Sequence, residues 1–375
     1  MTLEEIRQEI DRIDKELLPL FVRRMDCAKQ VAAVKQEQKL PVFNGGREQE
    51  ILDRIVRQAG EYGGEARLLY SGMMDMSRAL QYNLLGGGGE LRETIRKAGA
   101  APEKAEKIAC LGENGSFSHE ALSLLYPKAA APQFYQGFGG IFSAVANGQA
   151  DLGILPVENS SAGSVSEVYD LILKYRFYIV NAATLHVHHC LAAAKKVDVR
   201  TIGTVYSHPQ ALSQCSEYIT RNNLRPLPCS NTASAAQMVA QRQEAGIAAI
   251  CSEHAANEYK LHILERDIQN SSNNCTRFIV ISRSLFIPDR ARKISLCFSL
   301  LHKTGTLYSV LARFAALGLN LTKIESRPIQ DKNFEYDFYL DFTGNVREDA
   351  TLNLICSLYD ELPRFSFLGN YTENE

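Results

Sequence analysis

The sequence predicts a multidomain chain in three parts: an all-α segment, a two-lobed α/β segment and an α+β segment with ferredoxin-like order. Three observations carry this. Near the N-terminus, apolar residues recur with a helical period over about 30 residues, too long for an average globular helix. Through the middle of the chain, short apolar runs alternate with Gly/Ser-rich turns and amphipathic patterns, the mark of sheets covered by helices. The final part reads strand, helix, strand, strand, helix, strand.

The first part, residues 1–85, begins with Thr2-Leu3-Glu4-Glu5, the spacing of a capping box. Apolar residues follow at Ile6, Ile10, Ile13, Leu17, Leu20 and Phe21, and continue through Met25, Ala28 and Val31 to Val34. Pro19 lies inside this helix and is expected to kink it, because the pattern continues on both sides. Pro41 and Gly45-Gly46 end the run; further helices are expected over residues 47–59 and 65–84. Three helices with a narrow apolar stripe cannot enclose a core alone, so dimerisation through the long helix is expected.

Gly86-Gly87-Gly88-Gly89 is the clearest boundary, expected to end a helix and open a hinge at the head of a linker, residues 86–106. In the second part, residues 107–290, Ile108-Ala109-Cys110-Leu111 precedes a turn over residues 112–119, then a helix. Leu152–Leu155, Ile202–Val205 and Ile247–Ile250 repeat that arrangement, so parallel sheets in two lobes with a cleft between them are expected. The turn over residues 112–118 reads either as a capped helix start or as an anion site. The third part, residues 293–372, alternates as a half-buried strand does over Ile294–Leu300, and the remaining helices and strands follow to Phe365–Leu368.

Composition excludes several classes. The 375 residues are 45% hydrophobic and 22% charged with a net charge of −2, so no basic surface advertises nucleic-acid binding. The first helix is charged from Glu4 onward and no apolar run reaches spanning length, so neither an export signal nor a membrane is expected. The nine cysteines include no CxxC pair and are expected as reduced thiols of a cytoplasmic enzyme, without zinc or disulfides.

Two sets of residues point to chemistry. Thr276-Arg277-Phe278, preceded by Asn273-Asn274-Cys275, sets a hydroxyl beside a guanidinium ahead of an apolar run. An anionic substrate that must lose a hydroxyl group needs such a donor and such a charge. In the helical part, Arg7 and Arg24 flank the apolar stripe, and Lys35 lies near the same face, eleven residues beyond Arg24. Cations on a buried face need anionic partners, which a dicarboxylate substrate would supply.

Thr276-Arg277-Phe278 does not stand alone. Thr204-Val205-Tyr206-Ser207-His208-Pro209-Gln210 and Glu325-Ser326-Arg327-Pro328 occur in the same chain. With these motifs the chain resembles the prephenate dehydratases, its first ninety or so residues resemble the helical chorismate mutases, and its third part resembles the ACT regulatory domain. The resemblance implies a periplasmic-binding-protein-like dehydratase in which Thr276 donates to the leaving hydroxyl, Asn159, Ser207 and Gln214 contact the substrate, and Arg277 supplies charge. His119 and His208 read as structural rather than as general acids.

For the mutase, the resemblance implies that Arg7 and Arg24 clamp the carboxylates of chorismate, one of them from a partner subunit. Lys35 and Gln81 would bond the ether oxygen, with Ser77, Arg47 and Glu48 completing the site. Asn44 stands where the family usually has aspartate. The rearrangement is pericyclic, so the protein need only hold a compact conformer and stabilise charge on that oxygen. In the third part, Gly305-Thr306-Leu307, where the family commonly has Gly-Ala-Leu, and Glu325, Ser326 and Arg327 are implied to bind L-phenylalanine between subunits.

Chorismate and prephenate are thus the expected substrates and L-phenylalanine the expected inhibitor, in a homodimer or higher homo-oligomer without metal or organic cofactor. Two other readings fit the same residues. The mutase part would be only a dimerisation or regulatory arm, with Asn44 as its support, or the two lobes would form a ligand-binding sensor.

Overall fold

The computed structural model describes residues 1–100, 107–329 and 335–374. Residues 101–106 of the expected linker and 330–334 of the third part lie outside the described residues. The chain divides into two compact units, residues 1–97 with 294–367 and residues 98–293 with the segment from 368 onward.

The helical part consists of α1 (Leu3–Gln38), α2 (Gly45–Ala59), α3 (Gly63–Leu84) and α4 (Gly89–Lys97). Thr2 and Glu5 form the capping box, each side chain bonding the other's backbone N–H. The helix runs unbroken through Pro19 and ends at Lys39, which takes a left-handed conformation. α3 packs against both α1 and α2. The row Ile6, Ile10, Ile13 and Leu17 nevertheless stays exposed.

The α/β part starts with β1 (Ile108–Leu111), α5 (Phe117–Leu125), β2 (Gln133–Tyr135), α6 (Phe138–Ala146), β3 (Leu152–Asn159), β4 (Gly163–Ser164), α7 (Ser166–Tyr175) and β5 (Tyr178–His186). The chain then enters a second lobe. It comprises β6 (Cys190–Ala193), β7 (Thr204–Ser207), α8 (Pro209–Gln214), α9 (Ser216–Arg221), β8 (Arg225–Pro228), α10 (Thr232–Arg242), β9 (Ile247–Cys251), α11 (Glu253–Glu258) and β10 (His262–Glu265). Finally β11 (Cys275–Ser282) returns to the first lobe.

The sheet orders are β5-β11-β3-β1-β2, with β4 on β3, and β10-β6-β9-β7-β8. The expected parallel pairing holds for β1 with β2 and β3, and for β7 with β8 and β9. Both sheets are nevertheless mixed, because β11 runs antiparallel to β3 and β5, and β6 antiparallel to β9 and β10. The cause is the double crossing: the strands that carry the chain between lobes enter each sheet against its βα direction. Each lobe has its own apolar core, Ile108, Ile154, Val180 and Phe278 in the first, Leu191, Val205, Ile219 and Ile250 in the second.

The third part has the expected order: β12 (Lys293–Ser299), α12 (Thr306–Ala316), β13 (Leu321–Pro328), β14 (Tyr336–Thr343), α13 (Asp349–Glu361) and β15 (Ser366–Tyr371). Its sheet runs β13-β14-β12-β15, leaving β13 at an edge. α3 packs on α12 and α13, and α4 packs on α13. The glycine tract lies in that contact. Gly88 has φ +81°, its N–H donates to Asp360 Oδ2 at 2.7 Å, and a Cβ there would overlap Cys356. A last strand, β16 (Glu373–Asn374), pairs in parallel with the edge of β5 in the first lobe.

Candidate active sites

Where the two lobes of the α/β part face each other, a cleft of about 190 Å³ opens between the ends of β3 and β11 and the helices of the second lobe. Asn159 and Thr276 are cross-strand partners at its base. Asn159 Oδ1 accepts from the N–H groups of Ser161, at 3.0 Å, and Ala162, at 2.9 Å. Those two donors leave one orientation of the amide, so Nδ2 donates to Thr276 Oγ1 at 2.9 Å. The threonine oxygen is thereby an acceptor on the protein side, and its own proton is free for a group in the cleft.

No lysine or arginine is among the residues lining this cleft. Two helix starts face it instead. Phe117 opens α5 and Thr232 opens α10, and both line the cavity. Unpaired N–H groups and the helix dipole make these ends favourable for an anion. Ser116 and Asn231 cap the two helices.

Arg277 follows Thr276 in the same strand, so pleat alternation turns it to the other face. Its guanidinium is held by Glu373 Oε1 at 2.5 Å and by Tyr371 Oη at 2.7 Å. The single anion site in which the sequence reading joined Thr276 and Arg277 is thus divided by the pleat. Ser207 is fully buried at the end of β7, and its hydroxyl donates to Ile250 O at 2.6 Å. Gln214 does line the cleft, with Oε1 3.1 Å from His189 Nε2. His119 lies in the first turn of α5, where its Nδ1 accepts from Gly115 N–H, while His208 caps α8 and lines the cleft.

Two cleft residues escaped the sequence reading. Asn274 is buried, and its Nδ2 has no partner while its Oδ1 accepts from Asn159. Its signal was present, since a residue two before Thr276 in an extended segment shares its face. His189 had no such signal, because the crossing between β5 and β6 brings it in. Gln214 Oε1 can only accept, so His189 Nε2 carries the proton and buried Nδ1 is left as a bare acceptor. Burial lowers the His189 pKa and keeps the ring neutral.

In the helical part, Arg24 Nη1 lies 3.0 Å from Ser77 Oγ, joining α1 to α3. Lys35 Nζ donates to Val42 O at 2.5 Å, and burial lowers its pKa against the opposing pull of Glu48. Gln81 is buried on α3 with Oε1 unpartnered. Asn44 caps α2, accepting from Arg47 N–H at 3.1 Å, while the Arg47 guanidinium pairs with Glu50 at the surface. Glu48 is gripped by Arg78, a residue the sequence reading passed over. Burial opposes the Arg78 charge, but Glu361, Glu48 and Asp75 around it raise its pKa overall. Arg7 lies seventeen residues before Arg24, about 25 Å along the helix, and shares no pocket with it within one chain.

In the third part, a cavity of about 350 Å³ is lined by Thr306, Leu307, Lys303, Tyr336 and Phe338. Gly305, at φ +85°, starts α12. The Thr306 hydroxyl lies 3.1 Å from Leu301 O and 3.0 Å from Lys303 O, so it serves its own loop. Glu325, Ser326 and Arg327 sit on edge strand β13 and are not among the residues lining the cavity.

Comparison with known proteins falls on the same division. The family description "Prephenate dehydratase" matches residues 108–285, and "Chorismate mutase type II" matches residues 6–82. The bifunctional chorismate mutase/prephenate dehydratase of Aquifex aeolicus is 32% identical over 98% of this chain and 97% of its own. Among solved structures, prephenate dehydratase from Arthrobacter aurescens in complex with L-Phe superposes with TM-score 0.64 at 30% identity, covering 71% of this chain and 90% of that one. A quorum-quenching acylase, GqqA, superposes with TM-score 0.64 at 28% identity, over 72% of this chain and 98% of its own. With a relative matched from end to end and the two family regions coinciding with the helical and the α/β parts, the chain belongs to the bifunctional chorismate mutase/prephenate dehydratase family.

Proposed function

We infer that the chain performs both reactions of its family, rearranging chorismate to prephenate and then converting prephenate to phenylpyruvate, under inhibition by L-phenylalanine. The observation that carries the second reaction is the Thr276 hydroxyl, turned toward the cleft by Asn159. Prephenate loses its ring carboxylate as carbon dioxide, and the electron pair of that C–C bond aromatises the ring as the C–O bond breaks. The departing hydroxide takes up a proton and leaves as water. A threonine is too weak an acid to lead this step, so Thr276 supplies a positioned hydrogen bond, and the proton follows late. The N-termini of α5 and α10 hold the carboxylates; His189 Nδ1 and Asn274 Nδ2 offer an acceptor and a donor for the remaining polar atoms.

For the rearrangement, Arg24 and Lys35 bind carboxylate and ether oxygen beside Gln81 and Ser77, with Asn44 fixing the start of α2. The exposed apolar row of α1 and the distance of Arg7 from Arg24 support a homodimer in which Arg7 enters the partner's pocket. The lobes fit a periplasmic-binding-protein-like arrangement. The third part fits an ACT domain whose edge strand β13 meets a second copy, bringing Glu325, Ser326 and Arg327 to an L-phenylalanine site near Thr306 and Leu307. Nine free cysteines fit a cytoplasmic enzyme. Among the described residues, no helix is long and apolar enough to cross a membrane.

Chorismate consumption and phenylpyruvate formation, assayed separately on the purified chain, test the reading. Both should proceed. Phenylpyruvate formed only from added prephenate would reduce the helical part to a structural arm.

A further inference from the structure

We propose that Arg78 is a positioning residue of the chorismate-rearranging site and the link through which the C-terminal module acts on that site. Its side chain is only 9% exposed and meets three carboxylates. Nη1 pairs with Glu48 of α2, Nη2 with Asp75 of α3, and Nε lies 3.0 Å from Glu361 Oε1 at the end of α13. The guanidinium also lies 5.4 Å from the centre of the Phe43 ring, which fixes its plane. Glu361 is shared, since its Oε2 accepts from Arg313 of α12 at 2.6 Å. Asp75 is shared too, accepting from Ser309 of the same helix.

Two arginines therefore face three carboxylates in one enclosed cluster. Glu48 is the member that also belongs to the proposed mutase site: it lies in the first turn of α2, one turn from the Asn44 cap, and its charge favours that of Lys35. Its position depends on how Arg78 divides itself between Glu48 and Glu361. A fixed planar fork cannot follow both if α13 shifts. The backbone beside the cluster transmits such a shift. Gly88 sits against Cys356 without room for a Cβ, and Asp360 anchors its N–H. A ligand that favours one setting of α12 and α13 thus biases Glu48, and with it the rearrangement.

The regulatory half of this proposal rests on the reading that the C-terminal module binds L-phenylalanine. The test uses the full-length chain, assaying both reactions with and without L-phenylalanine. Arg78→Met should lower the mutase kcat at least about tenfold with little change in KM, because Arg24 and Lys35 still hold the substrate. Arg78→Lys should recover part of that loss, and conversion of supplied prephenate should be unchanged in both variants. Glu361→Gln, outside the mutase site, should change mutase turnover less than about twofold yet abolish its response to L-phenylalanine, leaving dehydratase inhibition intact. Gly88→Ala, which keeps every charge but opens the packing, should do the same. A normal mutase kcat in Arg78→Met overturns the positioning role. Unaltered L-phenylalanine inhibition of the mutase in both Glu361→Gln and Gly88→Ala overturns the link. If Arg78→Met loses both activities through misfolding, Arg78→Lys decides the positioning role, overturned by a normal mutase kcat, and those two variants decide the link. A wild-type chain in which L-phenylalanine inhibits neither reaction overturns the link together with the effector reading, while the Arg78 kinetics still judge the positioning role on their own.

Discussion

Asn159 Nδ2 lies 2.9 Å from Thr276 Oγ1, and that pair sets the direction of the threonine proton. The amide cannot turn over, because its oxygen is held by two backbone N–H groups of its own loop. A hydroxyl that accepts from the protein donates elsewhere, and the cleft lies there.

Thr276→Ala should lower phenylpyruvate formation on the order of 10²-fold, the usual effect of losing a hydrogen bond made in the transition state. Chorismate consumption should stay normal, since Thr276 belongs to the α/β part and the candidate mutase residues to the helical part. Thr276→Ser should retain most of the activity. Steady-state kinetics on prephenate check this, and near-normal turnover in the alanine variant would remove Thr276 from the reaction.

Asn159→Asp keeps the shape but replaces the donor with an acceptor. The Thr276 hydroxyl would then donate to the carboxylate and turn its proton away from the cleft. The kcat on prephenate should fall about as far as in Thr276→Ala, again on the order of 10²-fold. A mild effect would show that the hydroxyl can reorient freely.

Arg24→Ala or Lys35→Ala should abolish the rearrangement and spare the dehydration of supplied prephenate, since removing the partner of a buried charge costs several kcal/mol. Arg7→Ala should abolish it as well. If Arg7 serves the neighbouring pocket, mixing Arg7→Ala with Arg24→Ala chains should restore some activity after subunit exchange. No recovery with exchange proven by labelled chains would place the whole pocket in one chain.

Lys35 must be protonated to bond the ether oxygen, and burial lowers its pKa while Glu48 raises it. The mutase kcat/KM should therefore fall as pH rises, with its midpoint below the roughly 10.4 of a free lysine. Glu48→Gln removes the opposing charge and should move the midpoint of the residual activity lower still. A midpoint that stays in place or rises would mean that Glu48 does not act on Lys35.

Glu373 pairs with Arg277 at 2.5 Å and with Lys293 at 3.0 Å, at the edge strand that closes the first-lobe sheet. Glu373→Ala leaves both cations short of a partner and should cost about 3 kcal/mol, read as a lower unfolding midpoint. Deleting the chain from residue 293 onward removes the same strand, so a loss of dehydratase stability is expected along with any loss of response to L-phenylalanine. Full stability in Glu373→Ala would make β16 dispensable.

Local pattern alone determined the helix starts and ends of the first part, the βα units around residues 108 and 204, and the strand-helix order of the third. Each rests on neighbours in sequence: the capping box at Thr2, the period of Ile6 to Val34, and the alternation of Ile294 to Leu300, which marked a strand that the structure buries on both faces rather than one. Thr276 as the candidate donor came from its motif together with the family resemblance, and the spacing of Asn274 was legible even though the reading passed it over. What only the tertiary structure decided are relations across long stretches of chain. The double crossing between lobes makes the sheets mixed and carries His189 to the cleft, and the pleat turns Arg277 away from Thr276 toward Glu373, a residue ninety-six positions later. Four glycines read as a hinge in sequence, because glycine loosens a free backbone. Here Gly87 and Gly88 lie against α13, because only a residue without a side chain can approach Cys356 and Asp360 so closely. Nothing in the sequence singles out Arg78; α2, α3 and α13 place a carboxylate on each of its nitrogens.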